Sequence, residues 1–313
     1  MFSAALLLLA LGACAAYVYC RRESFRPILG VPLTGVLALA FLGVGQRTVE
    51  AIVLRMCVAR MGTRMDIAES QVLCWATAYW NMLPAKPGTG ALAVYLKREH
   101  GLPYSNFVAY LLAVNLLRVM TIGVVGAATA VPLWLFRGLT FVVPLVFTLM
   151  AGGCIVVIAL PARWQYAGQN RILRAVSNTS RAWHEMRGRR RLLARIVLWK
   201  VAEVLLGAFS IYLCFRLIGV GIAPLQALTV MLLSTLGRFA GIIPGQLGVK
   251  EALIGAAGAA FGFSFADGVV AAALRRVVWL PLVGILGPLS SWVLHRRLTC
   301  TDRPAEPAGL DVG

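Results

Sequence analysis

The sequence predicts an all-α, polytopic helical membrane protein with two structurally related halves, each containing a broken or re-entrant helical hairpin. Composition is the first ground. Of 313 residues, 60% are hydrophobic and only 13% charged, with a mean hydropathy of +0.81, whereas soluble domains run nearer about 25% charged. The second ground is an interruption that occurs twice: Leu83-Pro84-Ala85-Lys86-Pro87-Gly88, then Ile243-Pro244-Gly245-Gln246-Leu247-Gly248-Val249-Lys250-Glu251. Proline and closely spaced glycines end a helix locally. Such breaks are tolerated at membrane depth only where protein or water surrounds the freed backbone groups. The third ground is a basic segment, 161–195, that divides the chain in two.

The elements follow in order. An apolar run at 3–20 is trailed by Arg21, Arg22 and Arg26. That order fits a first membrane helix with its C-terminal end in the cytoplasm better than a signal peptide. A second apolar helix covers 28–46. Residues 47–66 mix Arg47, Glu50, Arg55, Arg60 and Arg64 with apolar residues, and are expected to form an amphipathic helix lying at the interface. The run 68–83 is short for a crossing and suits a half-helix. Beyond the first break come a helix from Gly88 to His100, a turn at Gly101–Pro103, and apolar runs at 104–130 and 139–160.

The second half is expected to hold a helix at 196–218, a turn at 219–224 and a short apolar segment at 225–240. After the second break follow a Gly/Ala-rich helix at 248–262, a turn near 263–267, and helices at 268–286 and 288–297. Residues 1–298 thus read as one integral membrane domain, with halves at about 28–160 and 196–298 and six to eight crossings. The polar tail 299–313 is expected to be disordered.

The two halves share an order. With Pro84 aligned on Pro244, Gly88 falls on Gly248 and Lys86 on Gln246. Each break follows a short apolar segment and precedes a helix, a glycine turn (Gly101, Gly262) and a long apolar helix with an interior arginine. That arginine is Arg118 in the first half and Arg275 with Arg276 in the second. Parallel and inverted duplication both fit this order. Paired breaks in corresponding halves point to a transport site.

Composition also narrows the function classes. Thirty basic against 12 acidic residues give a net charge of +18. The basic residues cluster between apolar segments, as in cytoplasmic loops facing anionic lipid, rather than on a soluble face with a recognition motif, so nucleic acid is excluded as a partner. The segment 161–200 carries nine arginines and Lys200 with Glu185 as its single acid, a positive-inside loop. Seven cysteines without a CxxC pair read as small hydrophobes. Three separated histidines, His100, His184 and His295, offer no metal centre. No cofactor and no catalytic residue set is expected, since catalysis on a lipid phosphate needs a nucleophile, base or metal carboxylates in mutual reach. Glu251 alone could serve as a base.

The candidate site is assembled from the intramembrane charges. Lys86, Arg118, Lys250, Glu251, Arg275 and Arg276 are expected to contact an anionic lipid headgroup. Charged groups at membrane depth face a bundle interior or a partner, and arginine forks onto phosphate oxygens. The broken-helix residues Pro84, Pro87, Gly88, Pro244, Gly245 and Gly248 expose amides at helix starts, where an anion is favoured. The competing account of Arg118 is a snorkelling side chain or an internal ion pair, for instance to Glu251. Lys200 and Glu203, three apart, can pair on one helix face.

The segment Gly241-Ile242-Ile243-Pro244-Gly245-Gln246-Leu247-Gly248-Val249-Lys250-Glu251-Ala252 resembles the signature of the lysylphosphatidylglycerol synthase transmembrane region, a flippase-like family that includes stand-alone membrane proteins. Leu83-Pro84-Ala85-Lys86-Pro87-Gly88, Tyr95-Leu96-Lys97-Arg98 and Arg118 suit its first-half pattern, and the resemblance runs from about residue 5 to 298. It departs at Thr89, where many relatives carry glutamate, and after Arg118, where Val119 and Met120 replace the usual acid. No proton-coupled scheme is therefore carried over. With no soluble aminoacyl-transfer domain after residue 298, lipid aminoacylation is not expected. The resemblance implies movement of an anionic lipid or lipid-linked intermediate across a bacterial cytoplasmic membrane by a multi-pass protein. The alternative it leaves is an accessory protein or enzyme of a polar-lipid, glycolipid or hopanoid pathway, with a lipid-biosynthesis partner such as a glycosyltransferase.

Overall fold

The computed structural model describes residues 22–83, 87–159, 190–237 and 248–301. They form ten helices and, among the described residues, no strand. A short α1 (Arg22–Leu29) leads through Pro32 into α2 (Leu33–Arg60). At 28 residues, α2 is about 42 Å long, enough for a hydrocarbon core of about 30 Å. It corrects the sequence expectation of a crossing at 28–46 followed by a separate interfacial helix. Arg47, Glu50 and Arg55 do not end the helix because each is satisfied inside the protein. Arg47 pairs with Glu50, and Arg55 Nε donates to the Met65 carbonyl at 3.2 Å. Val53 and Leu54, between these charges, and Cys57 and Val58, just past them, are all buried. The turn comes at Gly62, whose φ of 97° lies in the left-handed region that favours glycine.

Next, α3 (Ile67–Trp80) starts behind Asp66, whose carboxylate accepts from the adjacent Ile67 N–H and whose carbonyl accepts the Ser70 N–H at 3.0 Å. The helix α4 runs over Gly88–His100, with the bounds the sequence suggests. Each is about 20 Å long, too short to cross. A long α5 (Tyr104–Arg137) and α6 (Val142–Ala159) pack closely through two glycines of α5. A Cβ at Gly123 would stand 2.6 Å from Ala151 N, and one at Gly126 2.4 Å from the Phe147 ring. Small residues at such crossings let membrane helices approach.

The remaining helices are α7 (Arg190–Leu217), α8 (Pro224–Leu236), α9 (Val249–Ala260) and α10 (Phe265–Thr301). The last replaces the two helices expected at 268–286 and 288–297. Pro281 and Pro288 lie inside it, since the backbone groups a membrane proline frees can be satisfied by neighbouring helices. Among the described residues, four helices are long and apolar enough to cross a membrane: α2, α5, α7 and α10. Of the six to eight crossings expected, the run at 3–20 lies outside the described residues, and the run at 139–160 forms the shorter apolar helix α6, which is not among the four. The tail beyond residue 301 also lies outside the described residues.

Helix lengths recur along the chain. The series α2 to α5 has 28, 14, 13 and 34 residues; the series α7 to α10 has 28, 13, 12 and 37. Glycines with positive φ stand at corresponding turns, Gly62 and Gly219, then Gly101 and Gly262. The helices α2 and α7 pack against each other, α3 lies along α10, and α8 touches α5. One apolar cluster joins the C-terminal ends of α2, α4 and α10 to the start of α7 through Val58, Leu96, Leu294 and Leu192. A second joins the opposite ends through Leu39, Phe215, Ala257 and Ala271.

Candidate functional site

Between these clusters lies a cavity of about 700 Å³ lined by residues of α2, α3, α4, α5, α7, α8, α9 and α10. Eight helices converge on it because the half-length elements leave room at mid-bundle that full-length helices would fill. Five of the six charges proposed from the sequence line this cavity: Arg118, Lys250, Glu251, Arg275 and Arg276. The sixth, Lys86, lies outside the described residues, as do Pro84, Pro244 and Gly245.

Arg118 sits in a chain of charges that links three helices. Its Nη2 is 3.3 Å from Glu50 Oε1 on α2 and 3.6 Å from Glu203 Oε1 on α7. Glu50 also holds Arg47, and Glu203 Oε2 accepts from Lys200 Nζ at 2.6 Å. Lys200 is only 2% exposed, and a buried ammonium is tolerable only when so paired. The internal ion pair considered for Arg118 therefore exists, with Glu50 and Glu203 in place of Glu251.

Glu251 serves the second break instead. One oxygen meets Arg276 Nε at 2.8 Å, and the other accepts the Gly248 N–H at 2.9 Å. Gly248 holds φ at 82°, a conformation a β-carbon disfavours. A single carboxylate thus fixes the start of α9 and ties it to α10. At the first break, Pro87 occupies the N-cap position of α4. A Cβ on Gly88 would lie 2.4 Å from the Thr77 carbonyl and 2.8 Å from Asn81 Oδ1, so the start of α4 rests directly on the end of α3.

Arg275 differs from its neighbours. Nη2 donates to Gln46 Oε1 at 3.1 Å and Nη1 points to Met231 Sδ at 3.6 Å; both partners are neutral. Nearby, the Arg47 guanidinium lies over Trp279, 4.8 Å from its ring centre, and Trp279 stacks on Trp75. Six cationic side chains and three carboxylates line the cavity, so an anion is the charge type it favours.

Sequence reasoning missed Gln46, the last residue of an expected crossing, and Arg47 and Glu50, whose stretch was assigned to the membrane interface. The signal was present in the i, i+3 spacing of Arg47 and Glu50. It also left His100 without a companion. In the structure His100 Nε2 is 2.8 Å from Glu69 Oε1, which also accepts from Tyr95 OH at 2.8 Å. Burial first, then this hydrogen bond, pushes the Tyr95 phenol up, keeping it a donor at neutral pH. The trio clamps α3 to α4 across residues 84–86. Cys57, Cys74, Cys154 and Cys214 are unpaired. Among the described residues no group of three His, Cys, Asp or Glu gathers to hold a metal.

Residues 1–287 match the family model described as the Lysylphosphatidylglycerol synthase TM region. Comparison with curated proteins finds no match.

Proposed function

Because the chain belongs to the lysylphosphatidylglycerol synthase TM region family, we propose that it moves an anionic lipid or lipid-linked intermediate between the leaflets of a bacterial cytoplasmic membrane. The observation that carries this reading is Arg275. It is a cavity-lining guanidinium whose two partners are a neutral amide and a thioether. A charge at membrane depth without a counter-ion is costly unless a ligand supplies one, and guanidinium matches a phosphate diester in geometry and charge. A headgroup held there crosses hydrocarbon inside protein while its tails stay in lipid. The recurring helix lengths support two related halves meeting at this cavity, as in transporters built from repeats.

We place the ends of α2, α4 and α10 and the start of α7 toward the cytoplasm, which sets α1, whose Ile28 packs at the opposite end, on the outer side, the reverse of the orientation expected from Arg21, Arg22 and Arg26. Arg60, Lys97, Arg98, Arg191, Arg195, Arg296 and Arg297 gather at that end, which the positive-inside rule assigns to the cytoplasmic face. The segment 161–195 ends there too. The function is tested with purified protein in phosphatidylcholine vesicles carrying a trace of acyl-labelled phosphatidylglycerol. Wild type should move the label between leaflets, and Arg275→Gln should remove most of that activity while retaining a monodisperse, folded profile. Equal movement in wild type, variant and protein-free vesicles would overturn the proposal.

A further inference from the structure

The chain of charges around Arg118 does not balance. Arg47, Arg118 and Lys200 share two carboxylates, Glu50 and Glu203, which leaves one positive charge over. Neither break supplies a further acid, since residues 84–86 and 238–247 contain none.

The Arg47 end of this chain lies beside Arg275, and two separate contacts hold it there. Gln46, the residue before Arg47, accepts from Arg275 Nη2 at 3.1 Å. The Arg47 guanidinium covers Trp279 at 4.8 Å from the ring centre, and Trp279 stands one helical turn beyond Arg275 on α10. The two like charges are close enough to repel. All four side chains line the cavity, and 24% of the Arg47 side chain remains exposed. Only Nη1 of Arg47 is taken up by Glu50, which leaves other N–H donors of its fork for a ligand.

The surplus charge of the chain and Arg275 thus put two positive charges side by side within the bundle, where charge without a counter-ion is costly. A phosphate diester brings one negative charge and leaves the second positive charge standing. A phosphomonoester carries about −1.5 to −2 near neutral pH, and a diphosphate bridge also carries more than one charge. Either has enough free oxygens to meet a separate guanidinium on each side.

Building on the reading of this cavity as a headgroup site, we infer that Arg47 and Arg275 form one seat for a multiply charged phosphate. The substrate headgroup then ends in a phosphomonoester or contains a diphosphate.

The test measures binding to the purified full chain in an uncharged detergent by titration calorimetry. The ligands are dihexanoyl phosphatidylglycerol, a monoanion, and dihexanoyl phosphatidylglycerol phosphate, which adds a phosphomonoester to the same headgroup and tails. Wild type should bind the second about tenfold more tightly, a difference of about 1.4 kcal/mol, and Arg275→Gln should weaken both. Arg47→Gln should bring the ratio close to one, whereas Arg47→Lys, which keeps the charge, should retain most of it. Arg191→Gln removes the same charge at an exposed position and should leave the ratio unchanged. Equal affinities in wild type, or tighter binding of phosphatidylglycerol, would overturn the multiply charged seat and leave the anion site standing. So would a ratio that survives in folded Arg47→Gln, or one that falls as far in Arg191→Gln. Inorganic pyrophosphate, which has no tails, should bind more weakly than the phosphorylated lipid; equally tight binding would assign the seat to a free anion and overturn the lipid headgroup. Binding of neither lipid, or binding unaffected by Arg275→Gln, would overturn the underlying reading itself. The wild-type ratio, read against Arg191→Gln, decides the matter even if Arg47→Gln fails to fold.

Discussion

Replacing Arg118 with methionine removes the central member of the charge chain Arg47–Glu50–Arg118–Glu203–Lys200. At 3.3 and 3.6 Å, each of its two attractions is worth about 5 kcal/mol before desolvation at an effective dielectric of about 20. Truncating one partner of a buried pair costs about 3–5 kcal/mol net, mainly through the charge left behind. Here both carboxylates keep a second cation, so the loss should fall near the lower figure, about 3 kcal/mol. For a domain of this size that corresponds to a fall in Tm on the order of 10 °C. Arg275→Gln leaves no carboxylate stranded and should cost under about 1 kcal/mol, the worth of an ordinary hydrogen bond. Thermal unfolding in detergent, followed by size-exclusion chromatography of heated samples, separates the two. Arg118→Met as heat-resistant as wild type, or Arg275→Gln as fragile as Arg118→Met, would refute the division into a structural and a ligand-binding arginine.

Three further outcomes follow from the breaks and their supports. Gly248→Ala should lose about 1–2 kcal/mol from its left-handed backbone, whereas the paired change Gly152→Ala and Gly153→Ala, where an added Cβ meets nothing within 4 Å, should leave melting and transport near wild type; equal behaviour of the two proteins would mean the second break is not a strained turn. Gly88→Ala should cost about 1–3 kcal/mol by overpacking against the Thr77 carbonyl, visible as lower yield of folded protein, and a wild-type melting curve would show that α3 and α4 do not meet there. Glu69→Ala removes the shared acceptor of Tyr95 and His100, and should raise proteolysis or amide exchange between residues 81 and 100 before it affects α10; uniform protection throughout would deny the clamp.

The fold was legible where backbone chemistry is local. Proline and glycine placed the bounds of α4 and the start of α9, whereas α5 runs past its expected end at 130 and through Pro132 to Arg137, and α7 starts at Arg190, within the segment expected to be loop. It was illegible where tertiary partners rescue an element from its own sequence. Glu50 and Arg47 make 47–60 look interfacial, yet they pair with each other and Glu50 also meets Arg118, far along the chain, which lets α2 continue. Pro281 and Pro288 look like helix ends, but packing carries α10 through both. The same reason limited the site: the arginines could be found as out-of-place charges, while which of them lacks a carboxylate depends on Glu50, Glu203 and Glu251 in three dimensions. His100 showed the opposite failure, since its partner Glu69 lies across a break that the sequence cannot fold.

The most direct measurement is photo-crosslinking of purified protein with a phosphatidylglycerol that bears a diazirine on its headgroup, with labelled peptides mapped by mass spectrometry. A headgroup site in the cavity places the label on peptides containing Gln46, Asn115 or Arg275, with loss of labelling in Arg275→Gln and competition by unlabelled phosphatidylglycerol but not phosphatidylcholine. Label confined to outward-facing positions such as Leu112, Leu149 and Val277, all of them exposed, with equal competition by both lipids, would contradict the central claim.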